Sequence, residues 1–352
     1  MKTIVLNAPY ELRFTETKAP ADITDPNQAL VKVQAVGICG TDLHAYKGEQ
    51  SFMSYPRILG HELGVEVVAV GENAKHFGIT VGDRCAVIPY LHCGKCIACR
   101  RGKTNCCTQM QVLGVHVDGG MREWLTVPLS ALREANDLPY EYLAQVEMLA
   151  IGAHAVRRAH PLAGENALVI GAGPIGLGVV SFLQETGARV LIQEINSHRL
   201  DFCRRHEIAE VIDGNDEVPA QLQSLLDGDM PTMVFDATGS AVSMMNAINY
   251  VSHGGSLVYV GHIKGELTFS DPELHKRELA LYRSRNATQD DFTQVLVAIE
   301  QNRVRPDTWI THRASFDNLV DEFPSWLDMQ SGIIKAILQV EQDGTGVTVN
   351  AD

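Results

Sequence analysis

A cluster of cysteines is the feature that most constrains what this chain can fold into. Five of its eight cysteines fall within fifteen residues: Cys93, Cys96, Cys99, Cys106 and Cys107. Such near neighbours are poorly spaced for disulfides, because each bridge would close a very short loop. Four thiolates spaced Cys-x2-Cys-x2-Cys-x7-Cys can instead surround a tetrahedral ion, and zinc prefers such a site. Full coordination predicts a structural role. Cys106 competes with Cys107 as fourth ligand, and free thiols or another cluster are the alternatives.

Length and charge limit the classes of function. The chain has 352 residues, which suggests about two domains. Its 43 acidic residues outnumber its 29 Lys and Arg, so the formal net charge is −14. An anion of this size is repelled by phosphate backbones and anionic membranes, so no nucleic-acid or membrane partner is expected. The sequence starts without a secretory signal, which predicts a cytoplasmic, reducing location where clustered thiols bind metal.

Two patterns of secondary structure alternate along the chain. Residues 1–148 are rich in glycine, proline and β-branched residues and contain short strands, a pattern typical of a partly open β-barrel. Residues 149–282 alternate apolar strands with helix-length segments, which predicts a parallel sheet in βα units. Residues 283–352 are expected to return to the first domain. The predicted fold class is therefore α/β.

A second group of metal-ligand residues lies in the first domain. Cys39 stands in the segment Gly37-Ile-Cys-Gly-Thr-Asp-Leu-His44, and His61 and Glu62 follow in Gly60-His-Glu. Taken singly, Cys39 could be a buried thiol and His61 a core histidine with satisfied hydrogen bonds. Together with a carboxylate they would leave zinc one open position, which is the arrangement of a catalytic site.

A glycine-rich turn predicts a dinucleotide site in the second domain. The turn consists of Gly171, Ala172, Gly173, Pro174, Ile175 and Gly176. It follows an apolar strand and opens a helix, and the acidic Glu194 closes the next strand, as in a Rossmann fold. The pyrophosphate would lie on the helix N-terminus. Glu194 would accept hydrogen bonds from the ribose hydroxyls and repel a 2′-phosphate, which favours NAD over NADP.

These segments together resemble the zinc-dependent medium-chain dehydrogenases, in particular the polyol and sugar-acid branch that includes sorbitol and threonine dehydrogenases. The matching segments are residues 37–44, 60–62, 82–84 and 171–176 and the four-cysteine lobe. The resemblance covers essentially the whole chain. It implies a GroES-like catalytic domain made of residues 1–148 and 283–352, and a doubly wound Rossmann NAD-binding domain made of residues 149–282.

The resemblance also implies two zinc ions per chain. Cys39 and His61 would bind the catalytic zinc together with Glu147, and Glu62 would be a ligand that exchanges with water or substrate. In the structural site the family spacing favours Cys107 as the fourth ligand, beside Cys93, Cys96 and Cys99.

Three residues near Cys39 match a proton path and its support. Thr41 matches the hydroxyl that passes on the substrate proton, and His44 matches the outer end of the relay. Asp42 matches the acceptor that orients the His61 ring. A turn role for Asp42 and a plain surface role for His44 are the alternatives.

The resemblance places three further residues against the dinucleotide. Arg199 would flank the adenosine beside Glu194. Thr238 and Val260 follow later strands, where the family lines the adenosine and the nicotinamide. A purely structural duty at the strand ends is the alternative for both.

The substrate side resembles bacterial hexonate 5-dehydrogenases, through residues 114–120, 264–276 and 284–288. A sugar acid needs a cation for its carboxylate, and a planar guanidinium fork suits it best. Arg285 is the predicted residue, with Asn286 for a hydroxyl and His116 facing the pocket. A salt bridge near the domain junction is the alternative for Arg285.

The predicted reaction transfers hydride from the C5 secondary alcohol of a hexonate to NAD. It would convert L-gulonate to D-fructuronate or L-galactonate to D-tagaturonate. The alternatives are a neutral polyol or L-threonine-type dehydrogenase, and a zinc-binding sensor that has lost catalysis. The family implies a homodimer or homotetramer.

Overall fold

The computed structural model describes residues 1–51 and 53–340, so the predicted domain end at 341–352 lies outside the described residues. The first part of the chain is mostly β-structure. Its strands are β1 (Lys2–Ala8), β2 (Glu11–Glu16), β3 (Gln28–Ile38), β4 (Glu62–Val70), β5 (Arg84–Val87), β6 (Tyr90–Leu91), β7 (Gln111–Val112), β8 (Trp124–Pro128) and β9 (Leu132–Glu134). The short helices between them are α1 (Gly40–Tyr46), α2 (Ala74–Phe77), α3 (Ile97–Arg100) and α4 (Tyr140–Leu143).

Alternation of side chains explains the longest strand pair. Along β3, Ala29, Val31 and Val33 are fully buried while the residues between them are half-exposed, as expected when one face of a strand meets the core. β3 pairs antiparallel with β4, and the register places Gly37 opposite Glu62. The pair therefore brings the end of β3 and the start of β4 together.

The second part of the chain forms a parallel six-stranded sheet. Its strands are β10 (Asn166–Ile170), β11 (Arg189–Glu194), β12 (Glu210–Asp213), β13 (Met233–Asp236), β14 (Ser256–Tyr259) and β15 (Ala280–Arg283). Its helices are α5 (Val146–Ala159), α6 (Pro174–Gln184), α7 (Ser197–Arg205), α8 (Val218–Leu225), α9 (Ala241–Asn246) and α10 (Asp271–Arg277). The order β12-β11-β10-β13-β14-β15 reverses beside β10, and ligands bind at such a switch point.

The end of the described chain returns to the first sheet. Its elements are α11 (Gln289–Glu300), β16 (Ile310–Ser315), α12 (Leu319–Glu322) and β17 (Lys335–Gln339). β17 pairs antiparallel with β3, and Ala336 lies opposite Ile38. This register places Lys335 beside the end of β3. The domain boundaries themselves stay a prediction.

Helix α5 connects the two parts. It packs against α6 at Gly152, where an added Cβ would lie 2.5 Å from the carbonyl carbon of Gly178. Close helix packing at this point holds the first turn of α5, with Glu147, against the first sheet. Within the described residues, no helix is long and apolar enough to cross a membrane.

Candidate active site

The β3–β4 pairing assembles a three-residue group. Cys39 follows β3, and His61 and Glu62 stand at the start of β4. One ligand atom from each of the three lies within 4.8 Å of the others. Gly37 leaves the room for this arrangement, because a Cβ there would lie 2.1 Å from Glu62 Oε2. The sequence-predicted Cys39, His61 and Glu62 are therefore brought together.

Unsatisfied buried oxygens show that a cation fits this group. Glu62 and Glu147 are buried, and Glu62 Oε1 and Glu147 Oε2 have no hydrogen-bond partner among the described residues. Buried polar atoms nearly always have a hydrogen-bond or metal partner, so these two oxygens indicate that a ligand binds here. Thiolate, imidazole and carboxylate donors together suit zinc. The residues present fit a zinc ion with Cys39, His61 and a glutamate as ligands.

Glu147 lies near the group, on the first turn of α5, but its carboxylate is not among the ligand atoms that lie within 4.8 Å of one another. Its Oε1 accepts a hydrogen bond from the Tyr90 hydroxyl, and both side chains are buried. Burial raises the pKa of Glu147 to about 7, although the neighbouring His61 opposes this rise. A buried carboxyl whose pKa is raised ionises most readily when a cation lies beside it. Tyr90 was not predicted from the sequence to contact the site.

Asp42 ties the Cys39 and His61 segments together. Its Oδ2 accepts the Cys39 backbone N–H at 2.9 Å, and its Oδ1 accepts the Gly60 N–H at 3.4 Å. The same Oδ1 lies 3.8 Å from His61 Nδ1. Burial alone would lower the pKa of His61, but Cys39 and Asp42 raise it well above its usual value. At this distance no hydrogen bond forms, and His61 Nδ1 has no hydrogen-bond partner among the described residues, so the orienting role of Asp42 stays a prediction.

A buried lysine, also missing from the sequence prediction, contacts Glu62. Lys335 at the start of β17 donates hydrogen bonds to Glu62 Oε2 and, at 3.0 Å, to the Ile38 carbonyl. The side chains of Lys335 and Glu62 are 0% and 1% exposed. The sequence signal was a lysine opening the otherwise apolar strand Lys-Ala-Ile-Leu.

A cavity of about 820 Å³ joins this group to the glycine-rich turn. Among its lining residues are Cys39, Thr41, His44, Glu62, Gly173, Pro174, Ile175, Arg199, Thr238, Lys264 and Lys335. Some of the residues predicted for the metal, the relay and the dinucleotide thus border one cleft, whereas His61, Glu147, Glu194 and Val260 are not part of its lining. Thr41 and His44 both lie on α1, and His44 Nδ1 is 3.0 Å from Glu49 Oε2.

The glycine-rich turn is shaped for a phosphate group. Gly171 has a φ of 98°, which favours glycine, and a Cβ on Gly176 would lie 1.8 Å from the Gly171 carbonyl oxygen. Pro174 occupies the first position of α6. Gly173, Pro174 and Ile175 at the start of α6 border the cleft, where an anion would meet the N-terminus of the helix.

Glu194 closes β11 beside this turn. Its carboxylate accepts the backbone N–H groups of Ala172 at 2.9 Å, Ile195 at 2.7 Å and Asn196 at 2.9 Å. Arg199 Nη1 lies 3.8 Å from Glu194 Oε2. These contacts hold a negative charge at the position predicted for the ribose hydroxyls.

Two strand ends complete this side of the cleft. The Thr238 hydroxyl donates to Asp236 Oδ1 at 2.8 Å, and the Val260 N–H donates to the Asp236 carbonyl at 2.9 Å. Both residues therefore have a structural contact of their own. Their cofactor contacts stay predictions.

The four-cysteine lobe forms a second metal-ligand group. One sulphur from each of Cys93, Cys96, Cys99 and Cys107 lies within 4.8 Å of the others, and Cys106 is exposed beside them. The Cys93 N–H donates to Cys107 Sγ at 3.3 Å. Hydrogen bonds from the backbone N–H groups of Cys99 and Thr108 lower the pKa of Cys96 to about 5, which favours the thiolate that zinc binds. The fourth donor in this group is Cys107, not Cys106.

The predicted substrate residues lie apart from the lining of that cleft. Arg285 is exposed and borders a second cavity with Asn105 and His154. His116 Nδ1 accepts the Val112 N–H at 3.1 Å. Burial lowers the pKa of His116, and the nearby charge of Arg285 lowers it further. Asn286 follows in a left-handed conformation, with a φ of 51°. The substrate roles of His116, Arg285 and Asn286 stay predictions.

Comparisons with known proteins agree with this architecture. Residues 25–137 match the alcohol dehydrogenase GroES-like domain, and residues 174–301 match the zinc-binding dehydrogenase family. L-galactonate-5-dehydrogenase of Escherichia coli K12 is 40% identical over 96% of this chain and 98% of that protein. D-altritol 5-dehydrogenase of Agrobacterium fabrum C58 is 32% identical over 88% and 92%. A crystal structure of a short chain alcohol dehydrogenase (rspB) from E. coli CFT073 complexed with NADH superposes with a TM-score of 0.88, 28% identity and coverage of 97% and 99%.

The chain belongs to the zinc-type alcohol dehydrogenase family, with a GroES-like and a zinc-binding dehydrogenase domain. Its family membership confirms the predicted fold, the predicted class of zinc-dependent oxidoreductase acting on CH–OH groups, and zinc and a nicotinamide dinucleotide as cofactors. Within the family it groups with dehydrogenases of polyols and sugar acids.

Proposed function

We propose that this enzyme oxidises the C5 secondary alcohol of a hexonate with NAD, converting L-gulonate to D-fructuronate or L-galactonate to D-tagaturonate. The observation that carries the proposal is the 40% identity to L-galactonate-5-dehydrogenase over 96% of the chain. The proposal is also supported by the cleft, which is bordered by residues of the Cys39–His61–Glu62 group, of the glycine-rich turn and of helix α1. The substrate is a small molecule that enters this cleft.

In this proposal Cys39, His61 and Glu147 hold the catalytic zinc, and Glu62 is the exchangeable ligand. When bound there, zinc would supply a Lewis acid that makes the proton of the substrate alcohol easier to remove near neutral pH. Asp42, whose Oδ1 lies 3.8 Å from His61 Nδ1, is the proposed acceptor that would orient the His61 ring. Tyr90 holds one oxygen of Glu147 and leaves the other free to face the metal.

The substrate proton leaves along α1. Thr41 is half-buried in the cleft, whereas His44 is 60% exposed at its mouth. In the proposed path Thr41 would accept the substrate proton and His44 would deliver it to solvent, and a bound nicotinamide cofactor would supply the ribose hydroxyl that links them. Glu49 holds the His44 ring at the outer end.

A hexonate also needs a cation for its carboxylate. Arg285 is our proposed residue, assisted by Asn286 and His116, because a guanidinium binds both carboxylate oxygens. Lys264 is the competing cation, since it borders the cleft itself. Replacing each residue by alanine separates the two, because loss of the true partner raises KM for the hexonate and leaves KM for a neutral polyol unchanged.

A neutral polyol is the second candidate substrate. It is favoured by the relative D-altritol 5-dehydrogenase, at 32% identity, and by the position of Arg285 on another cavity. An L-threonine-type substrate is a further alternative, through relatives at 30% identity. A sensor without catalysis would require a broken ligand or relay set, whereas Cys39, Thr41, His61 and Glu147 are all present.

Initial rates with NAD separate these substrates. The panel contains L-gulonate, L-galactonate, sorbitol and L-threonine at equal concentrations. The proposal expects a hexonate to give the highest kcat/KM. A higher kcat/KM for sorbitol or threonine would replace it by the corresponding alternative.

We further propose a cytoplasmic homodimer or homotetramer. The edge strand β15 supports assembly, because Leu281 on this strand is 41% exposed. Light scattering on the purified enzyme measures the mass, and a monomer would reject this part of the proposal.

A further inference from the structure

A second cavity lies between the four-cysteine lobe, the end of α5 and the segment after β15. Its volume is about 340 Å³. Five cationic side chains border it: Lys103, Arg157, Arg158, Arg283 and Arg285. This concentration of positive charge stands out in a chain with a formal net charge of −14.

Most of this charge has no carboxylate partner. Arg157 is held by Asp291, with Nε at 2.8 Å from Oδ1 and Nη2 at 2.9 Å from Oδ2. Lys103, Arg158, Arg283 and Arg285 form no ion pair within 4.0 Å in the described part of the chain. Four of the five cations around the cavity therefore have no carboxylate of the described residues within that distance, which favours an anion there.

The walls of the cavity are held in place before any ligand arrives. The Arg158 guanidinium lies 5.6 Å from the centre of the Tyr282 ring, and that of Arg283 lies 5.5 Å from the Tyr259 ring. The Asn105 amide donates to the Arg285 carbonyl at 2.9 Å. Such preformed contacts reduce the entropy lost when a ligand binds.

We propose that this cavity binds a phosphate dianion, either inorganic phosphate or the phosphate group of a small metabolite. A guanidinium group can donate two parallel hydrogen bonds to phosphate oxygens. A dianion can also neutralise several unpaired cations at once. The volume exceeds that of one phosphate ion and leaves room for an organic part. The cavity is separate from the lining of the dehydrogenase cleft but includes Arg285, which is also the proposed contact for the hexonate carboxylate. The phosphate proposal therefore rests on Lys103 and Arg158 and does not require Arg285.

Calorimetric titration of the zinc-loaded enzyme tests the site. Saturating NADH fills the dinucleotide part of the cleft, so that phosphate cannot bind there. Inorganic phosphate is titrated in one arm and ribose 5-phosphate in another, with chloride at equal ionic strength as the blank. Tighter binding of the sugar phosphate identifies a metabolite as the ligand, and equal binding identifies the free ion.

The double variant Arg158→Gln/Lys103→Gln removes two of the cations and leaves Arg285 in place. We expect it to weaken phosphate binding at least about tenfold. Arg101→Gln is the matched control, because Arg101 is exposed on the same lobe outside the cavity lining, and should bind as the parent does. If the double variant fails to fold, Arg158→Lys keeps the charge, removes the guanidinium fork and should still weaken binding.

Two results would overturn the proposal. One is the lack of saturable phosphate binding by the parent with NADH bound. The other is unchanged binding in the folded double variant. Neither result bears on hexonate oxidation, which is measured separately.

Discussion

The Lys335 ammonium donates a hydrogen bond to the Glu62 carboxylate in the interior of the protein, beside Cys39 and His61. The two residues are 273 positions apart in the chain. Lys335 also holds the Ile38 carbonyl at 3.0 Å, whereas Glu62 Oε1 has no partner among the described residues. One oxygen of Glu62 is thus neutralised by the protein and the other is left for a ligand.

Removing the Lys335 charge should be costly, because Glu62 Oε2, the oxygen that Lys335 neutralises, would be left buried without a partner. We expect Lys335→Met to lower the free energy of unfolding by about 3 kcal/mol, measured by denaturant titration of the zinc-loaded enzyme. Lys276→Met on the exposed face of α10 is the control. The double variant Lys335→Met/Glu62→Gln should recover most of the loss. A loss below about 0.5 kcal/mol would show that the ion pair does not stabilise the site.

Asp291 should make the protein sensitive to acid. Burial alone would raise the pKa of Asp291. Hydrogen bonds from His154, Arg157 and Thr288 outweigh burial and hold this pKa well below its usual value. A depressed pKa stabilises the fold above the unfolded value, near about pH 4, and this stability is lost as the pH falls towards the folded pKa.

Asp291→Asn should therefore destabilise the enzyme at pH 7 by about 3 kcal/mol and flatten its stability curve below about pH 4. Chemical denaturation across this range provides the measurement. Asp290→Asn is the control at an exposed neighbouring residue, and it should leave the slope of stability against pH unchanged. An equally steep acid loss in Asp291→Asn would assign the acid sensitivity to other carboxylates.

The sequence allowed the prediction of sites whose residues are close in the chain or in paired strands. The four zinc-lobe cysteines lie in one loop, and the β3–β4 register joins Cys39 to Glu62. The contacts of Lys335 and Tyr90 depend on how distant segments pack, and no local pattern encodes that. The same limit applies to Arg285, because its cavity depends on how the segment after β15 meets α5.

Glu194 should determine the choice of dinucleotide. Its carboxylate is fixed by three backbone N–H groups beside the glycine-rich turn, where a 2′-phosphate would add unfavourable like charge. The parent should have a higher kcat/KM with NAD than with NADP. The Glu194→Gln variant should reduce the ratio of these two kcat/KM values at least about tenfold. Glu210→Gln on the neighbouring strand is the control. Faster use of NADP by the parent would contradict the assignment.

His44 should affect the rate most at low pH, where loss of the substrate proton is hardest. We expect His44→Ala to lower kcat about tenfold near pH 6 and less near pH 9, where solvent base replaces the relay. The measurement is the pH profile of kcat with NAD saturating. His312→Ala, at a half-buried position on the edge strand β16 and outside the lining of the cleft, should keep the parent profile. A His44→Ala profile equal to that of the parent would remove His44 from the proton path.

The two adjacent cysteines of the lobe allow a matched test of the structural zinc. Cys107 Sγ lies in the four-sulphur group and accepts backbone N–H groups from Cys93 and Gln109, each at 3.3 Å, whereas Cys106 is exposed. Cys107→Ser should reduce the zinc content from about two ions per chain to about one and unfold the lobe. Cys106→Ser should retain both ions. Metal analysis by mass spectrometry and protease digestion of the lobe report the two effects. Loss of zinc from Cys106→Ser, or two ions retained by Cys107→Ser, would show that the fourth ligand is Cys106.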